Sequence, residues 1–361
     1  MPVITPSVRI KRTPFSDGVE KAGVTSYTVY NHTLLATKFK SYLEDYQHLK
    51  HHVQIWDVSC QKQIRVRGKD SEKLMRLLSP RDLTQMQVNQ CYYVPLIDKN
   101  GGLLNDPVIL KLTNSEYWIS IGDSDYLLYA LGVSDSLSLD TVIDEAAIYP
   151  LAIQGPKAEK LMVKIFGTDV QTIKFFRYKK IEFQGYPLVV ARSGWSKQGG
   201  FEIYVSEAQI AMALWDSLLK AGEEFNVRVG CPNLIERIEG GLLSYGNDIS
   251  QANTPFEAGL GKYITSKDDF IGKQNLMKRP FKKIIKPVEI YGKIPACDRT
   301  WSVLTKGKFA GQITSAAYSP DFACNVAIGM INKQSIEETT QVEIQTHDGT
   351  FKGLVRSSFW S

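Results

Sequence analysis

Short apolar runs punctuated by glycine turns, without a regular alternation of strands and long helices, restrict this 361-residue chain to an architecture rich in antiparallel sheet. Between the strand-like stretches 92–97 and 108–112 lies Asp98-Lys99-Asn100-Gly101-Gly102-Leu103-Leu104-Asn105-Asp106, whose paired glycines predict a turn rather than a crossover helix. Ile64 and Val66 alternate with Arg65 and Arg67, as on a strand with one solvated face. Asp70 is placed to cap the next helix, in which Leu74, Leu77 and Leu78 share a side before Pro80 ends it. The order strand, glycine turn, helix returns after Tyr149, through Gln154-Gly155-Pro156 and a helix carrying Leu161, Met162 and Ile165, so an internal structural repeat is expected. The basic run 278–286 reads as a solvated boundary. Beyond it, apolar segments separated by Gly292, Gly307, Gly311, Gly329 and Gly349 predict a separate β-rich domain.

Composition excludes several classes of function. Hydrophobic residues make up 43% and charged residues 22%, the balance of an ordinary globular protein, so disorder does not dominate. A net charge of +5 is modest for this length, and no tract interleaves aromatic and basic residues as a nucleic-acid platform would. Cys60, Cys91, Cys231, Cys297 and Cys324 are odd in number and far apart, which argues against a disulfide framework and for a reducing compartment. His48, His51 and His52 lack the spacing of a metal signature. No secretory apolar segment follows Arg9, Lys11 and Arg12, and no apolar run approaches about 20 residues. A soluble cytoplasmic protein is expected, with no metal, no nucleic acid and no membrane partner.

The chemistry concentrates in Ser193-Gly194-Trp195-Ser196-Lys197-Gln198-Gly199-Gly200-Phe201-Glu202-Ile203-Tyr204. Two readings are open. The glycines make an ordinary hairpin whose Phe201 and Ile203 face a core, or a carboxylate and aromatics line a pocket that recognises a heterocycle or a cation. Asp106 is either the end of an Asx turn or a carboxylate that stabilises positive charge on a bound reactant. Arg237 either binds a ligand carboxylate or pairs locally, although Glu239 at i+2 does not face it. Tyr245 fits core packing better than a pocket on isolated pattern.

Taken together, the chain resembles the folate-dependent aminomethyltransferase family, the T-protein family of glycine cleavage. The resemblance is carried by Trp56-Asp57-Val58-Ser59, Gly101-Gly102-Leu103-Leu104-Asn105-Asp106, Leu151-Ala152-Ile153-Gln154-Gly155-Pro156, Gly199-Gly200-Phe201-Glu202-Ile203, and Arg237-Ile238-Glu239-Gly240-Gly241 followed by Tyr245-Gly246. It implies an α+β, three-domain cloverleaf-like fold. Two interleaved, related α+β domains would span residues 1–280, and a C-terminal β-barrel-like domain residues 281–361. It also implies tetrahydrofolate as the acceptor of a one-carbon unit. Asp106 matches the second position of the family's acidic pair, near the folate N5. Glu202 matches the carboxylate that reads the pterin, Arg237 and Tyr245 match positions near folate, and Trp195 holds an aromatic position of the pocket. Tyr93 and Trp56 are further pocket candidates.

The departures from that pattern shift the expected donor. The first acidic position is Asn105, and the usual Gly-Tyr-Thr-Gly-Glu is Gly194-Trp195-Ser196-Lys197-Gln198. The usual Gly-Ala-Arg-Asp stretch is replaced near Cys231-Pro232-Asn233-Leu234. A group within the family, the dimethylsulfoniopropionate demethylases, is more similar through Tyr27-Thr28-Val29-Tyr30-Asn31-His32, through Val53-Gln54-Ile55-Trp56-Asp57-Val58-Ser59-Cys60, and through residues 101–107 and 192–204. That likeness implies direct methyl transfer from a sulfonium acid to tetrahydrofolate. Trp195 and Tyr204 would then face the sulfonium, and Lys197 would either anchor the propionate or lie exposed without a role. The alternatives are a conventional aminomethyltransferase served by a lipoyl carrier protein and a folate-binding regulatory protein. A homodimer is compatible with either.

Overall fold

The computed structural model describes residue 5 and residues 7–360. It divides into two compact units, the first formed by residues up to 71, 86–92 and 108–233, the second by residues 72–85, 93–107 and 234 onward.

The first unit is built on two sheets. The six-stranded sheet runs in the order Tyr178–Phe183, Tyr186–Ala191, Gly200–Val205, Tyr149–Gln154, Val53–Asp57, Val227–Val229. Its pairings are antiparallel except the last, where Val227–Val229 lies parallel to Val53–Asp57. The five-stranded sheet has the order Val142–Ala146, Lys62–Arg67, Glu116–Ile121, Val108–Thr113, Cys91–Tyr93. Helices Ala158–Phe166 and Ala208–Gly222 put Leu161, Met162, Leu214, Trp215 and Leu218 onto the six-stranded sheet, against Ile55, Ile153, Phe201 and Ile203. Each of these side chains contributes roughly 1.5–3 kcal/mol by leaving water.

The repeated strand–glycine–helix order has a backbone counterpart. Gly68, after the Lys62–Arg67 strand, and Gly155, after Tyr149–Gln154, adopt φ values of +125° and +121°. A Cβ at either would meet a carbonyl oxygen, that of Asp140 at 2.5 Å or that of His52 at 2.3 Å. Both turns therefore require glycine for the same two reasons, an unusual φ and a close backbone approach. The helix after the first turn is Ser71–Leu78, and the Asp70 carboxylate before it accepts the Asp140 N–H at 2.9 Å, binding the turn to a distant chain segment.

The strand expected over 92–97 is interrupted. Cys91–Tyr93 belongs to the five-stranded sheet and Leu96–Ile97 pairs separately with Leu103–Asn105, because Pro95 between them has no N–H to continue a ladder.

In the second unit six strands close a barrel, in the order Lys283–Ile290, Cys324–Asn332, Lys308–Ser319, Trp301–Thr305, Gln341–Thr346, Gly349–Val355. The end of the basic run thus already belongs to a barrel strand: Lys283 is exposed, whereas Val288 and Ile290 fill the interior with Trp301, Val303, Ile313, Ile331 and Ile344. A second cluster in this unit, formed by Ile97, Leu103, Ile249, Leu260, Phe270 and Leu276, underlies the double-glycine turn.

Candidate active site

The Gly200–Val205 strand is buried on both faces, and its two faces do different work. Phe201 and Ile203 enter the large core with Ile153 and Trp215, while Glu202 and Tyr204 point to the other side, Tyr204 among Leu110, Leu112 and Tyr178. The core reading of this stretch holds for Phe201 and Ile203, and Glu202 and Tyr204 lie on the opposite face because successive side chains of a strand point in opposite directions. Gly200 allows the strand to lie close to its neighbour: a Cβ there would sit 2.1 Å from the Ile153 carbonyl oxygen. Gln154 ties the preceding loop in place, donating to the Ser193 carbonyl at 3.3 Å and accepting from the Ser196 hydroxyl at 2.8 Å.

Glu202 is 6% exposed. Its Oε2 accepts from the Ser193 hydroxyl at 2.5 Å and from the Tyr204 hydroxyl at 3.3 Å. Burial pushes its carboxyl upward, and the Ser193 and Tyr204 hydroxyls oppose that shift. Both donors address one oxygen, so among the described residues Oε1 keeps its acceptor capacity for an N–H group. Trp195 and Lys197 lie on the loop between the Tyr186–Ala191 and Gly200–Val205 strands, Trp195 half-buried and Lys197 exposed. Trp56 is 1% exposed, its indole N–H donated to Gln54 Oε1 at 2.8 Å and its ring packed with Leu49, Val58 and Ala152, which is a core position rather than a pocket wall.

Asp106 lies in the second unit. The turn before it is organised by Asp98, whose carboxylate takes the N–H groups of Asn100 at 2.8 Å and Gly102 at 2.9 Å and the Gln251 amide at 2.8 Å. Leu103 N–H donates to the Asn253 carbonyl, and Val94 N–H to that of Pro107. These bonds bring Tyr93 beside Asp106, and the Tyr93 hydroxyl donates to Asp106 Oδ2 at 2.7 Å. The carboxyl of Asp106 is raised to about 7, chiefly by burial, with the Tyr93 bond pulling it down and the Asp248 charge pushing it up. Asn105, completely buried, occupies the neighbouring position. Tyr245 donates its hydroxyl to the Leu103 carbonyl at 2.8 Å, and burial together with the charges of Asp106 and Asp98 pushes it up to about 12.

Arg237 is buried in the same unit, but its guanidinium is engaged by protein groups. It donates to Asp248 Oδ2 at 2.8 Å, Ser315 Oγ at 2.7 Å and the Leu242 carbonyl at 3.3 Å. Asp248 in turn accepts from the Ser244 N–H and the Thr314 and Ser315 hydroxyls. Glu239, the local partner considered for Arg237, instead accepts from Ser319 at 2.5 Å.

The structure thus joins Tyr93 with Asp106 and Glu202 with Tyr204. Ser193 and Asp248 escaped assignment from sequence; Ser193 sits inside a quoted motif and Asp248 two residues beyond one, but their partners are nine and eleven residues away. A cavity of about 300 Å³ in the first unit, lined in part by Lys174, Arg177 and Lys179, contains none of the expected site residues.

Known proteins resemble this chain along its length. The family model for the GCVT N-terminal domain matches residues 16–268, and that for the glycine cleavage T-protein C-terminal barrel domain matches residues 290–359. The chain belongs to this aminomethyltransferase family. Within it, the dimethylsulfoniopropionate demethylase DmdA of Ruegeria pomeroyi is 51% identical over 364 residues, covering all of both chains. An aminomethyltransferase of Caldanaerobacter subterraneus is 29% identical over 89% of this chain and 88% of its own length. The crystal structure of aminomethyltransferase T from Bartonella henselae superimposes with a TM-score of 0.86 over 98% of each chain at 21% identity, which establishes a shared fold. Among the described residues no helix is long and apolar enough to cross a membrane.

Proposed function

We propose that this chain demethylates dimethylsulfoniopropionate, transferring one methyl group to tetrahydrofolate to give methylmercaptopropionate and 5-methyltetrahydrofolate. The observation that carries this reading is its end-to-end similarity, at 51% identity, to an enzyme bearing that activity. The donor set agrees with folate as methyl acceptor. Glu202 offers an unused carboxylate oxygen in a dry setting, suited to the N–H groups of a pterin, and Asp106 offers a carboxylate suited to an amine acquiring positive charge.

The chemistry asks little of the protein beyond placement. A sulfonium methyl carbon is already electrophilic and its sulfur departs as a neutral thioether, so neither a metal nor a covalent protein nucleophile is required. The folate supplies the N5 lone pair that forms the new N–C bond as the C–S bond breaks. Asp106, ionised, balances the positive charge arriving at N5 and is positioned to take the proton that N5 then loses. Glu202 orients the pterin. Trp195 presents an electron-rich ring to the sulfonium, an attraction of about 0.5–2 kcal/mol, and Lys197 draws the propionate. Such attraction accelerates transfer only where it is stronger in the transition state than in the bound reactants. Tyr204, expected beside the sulfonium, is 2% exposed and packed in a core cluster, and acts through the hydroxyl that it donates to Glu202. Arg237 and Tyr245 contribute to the folate site through the elements that they hold, Arg237 through the buried Asp248 and Tyr245 through the Leu103 carbonyl.

Anaerobic incubation with tetrahydrofolate and dimethylsulfoniopropionate, followed by mass detection of both products, tests the proposal. Parallel samples with methylated ammonium acids and with an aminomethyl-lipoyl carrier protein test the neighbouring reactions. Stoichiometric formation of both products from the sulfonium acid is expected; turnover only with the lipoyl carrier would replace the proposal with glycine cleavage.

A further inference from the structure

Two side chains meet Tyr93, whose hydroxyl is bonded to Asp106: Arg81 at its main chain and Tyr263 at its ring. Tyr93 ends the Cys91–Tyr93 strand, two residues before Pro95, and on its C-terminal side the Val94 N–H donates to the Pro107 carbonyl at 3.0 Å. Arg81 adds a second hold on this main chain, donating Nη1 to the Tyr93 carbonyl at 2.8 Å. Tyr263 holds the ring side: it meets the Tyr93 ring edge to face, with centroids 5.2 Å apart and planes at 80°. Arg81 joins the two, because its guanidinium lies 5.2 Å from the Tyr263 centroid. The Arg81 loop is itself fastened to the segment after Tyr263, since Thr265 and Ser266 N–H groups donate to the Pro80 carbonyl and Asp82 N–H to Thr265 Oγ1 at 3.0 Å.

We propose that Arg81 and Tyr263 are positioning residues for Asp106, acting through Tyr93 by clamping its main chain and ring so that its hydroxyl is held on the Asp106 carboxylate. A hydroxyl donated to a carboxylate favours the ionised form, and in a buried setting its loss is felt directly as a higher affinity for the proton. The charged and titratable groups facing this arrangement are few. Asp248 and Tyr245 face Asp106 electrostatically, Asp98 faces Tyr245, and Lys262 shares the Tyr263 ring with Arg81 at 5.1 Å. The groups that act on the Asp106 carboxyl directly include Tyr93 and Asp248, whereas Arg81 and Tyr263 both contact Tyr93.

The consequence for methyl transfer rests on the demethylation reading, so the test begins with a measurement that needs no donor or folate. The Asp106 carboxyl is titrated by infrared difference spectroscopy on the full chain, with Asp106→Asn as the subtraction reference. Tyr93→Phe is expected to raise the midpoint by about one pH unit. Arg81→Gln and Tyr263→Leu are expected to raise it in the same direction by a smaller amount, whereas Tyr263→Phe, which keeps the ring, stays at the wild-type value. Combined with Tyr93→Phe, Arg81→Gln adds nothing, because the bond it supports is already gone. In the demethylation assay the acid limb of kcat then moves up in the same variants. An unchanged midpoint in Arg81→Gln, or a full additional shift on top of Tyr93→Phe, overturns the proposal. Should Tyr263→Leu fail to fold, the Arg81→Gln and double-variant titrations decide alone.

Discussion

Two carboxylates of this chain lie beside tyrosines, Glu202 buried and Asp106 half-buried, and they are served differently. Glu202 receives two hydroxyls, from Ser193 and Tyr204, both on the same oxygen and both from its own strand or the loop leading into it. Asp106 receives one side-chain hydroxyl, from Tyr93, and also feels the charge of Asp248. Two charge-assisted bonds suit a group that must remain an acceptor while it recognises N–H groups. Desolvation, only partly offset by the Tyr93 hydroxyl and a backbone hydrogen bond, raises Asp106 to about 7, close to neutral pH. On the proposed demethylation reading, the first carboxylate serves recognition and the second chemistry.

The sharpest way to break that division is Asp106→Asn. We expect the fold to persist and single-turnover methyl transfer to fall by about 10²–10⁴-fold, the usual range for a positioned acid–base group. Unaltered turnover would assign Asp106 to structure.

Stability provides the next test. The folded-state carboxyl of Asp106 lies above its ordinary value of 3.8, so the folded protein binds this proton more tightly than the unfolded chain does. The associated stabilisation is complete below about pH 4 and is lost as pH rises through about 7. Asp106→Asn carries no such charge, and its stability relative to wild type should therefore grow by about 2–4 kcal/mol between pH 4 and pH 8. Urea titrations at both pH values measure this; a pH-independent difference would mean that Asp106 is not desolvated in the folded state.

Glu202→Gln keeps one carbonyl acceptor but loses the charge. Tetrahydrofolate affinity should weaken about 10–100-fold, with a smaller change in kcat at saturating folate. Equilibrium binding set beside saturated turnover separates the two, and a purely kcat effect would move Glu202 to the chemical side of the comparison.

The smallest effect is expected for Trp195→Leu. Removing one ring from the sulfonium should weaken donor use about 2–30-fold while folate binding stays unchanged. Equal losses for donor and folate would point to a disturbed loop instead.

Much of this organisation was legible before any coordinates. Gly68 and Gly155 follow strands and precede helices, and their shared backbone geometry is the physical content of the repeat read from sequence. The alternation of Phe201 and Ile203 with Glu202 and Tyr204 already assigns the two pairs to opposite faces, since a strand leaves no other choice. The break at Pro95 was also visible in principle, because proline cannot donate to a ladder, yet the apolar run around it outweighed that signal. What pattern reading missed are the long-range partners: Asp140 taking up Asp70, Asp248 and Ser315 taking up Arg237, and Ser193 reaching Glu202.

By itself, then, the sequence determined the α+β class, the β-rich character of the C-terminal region and the order of the folate-family motifs, because period, turn chemistry and motif order are local properties of the chain. Tertiary structure decided which carboxylate receives which hydroxyl, that Arg237 is spent on Asp248, and that Tyr93 is held between Arg81 and Tyr263. Those pairings set desolvation and hydrogen-bond count at each charged group, quantities that depend on neighbours in space rather than along the chain.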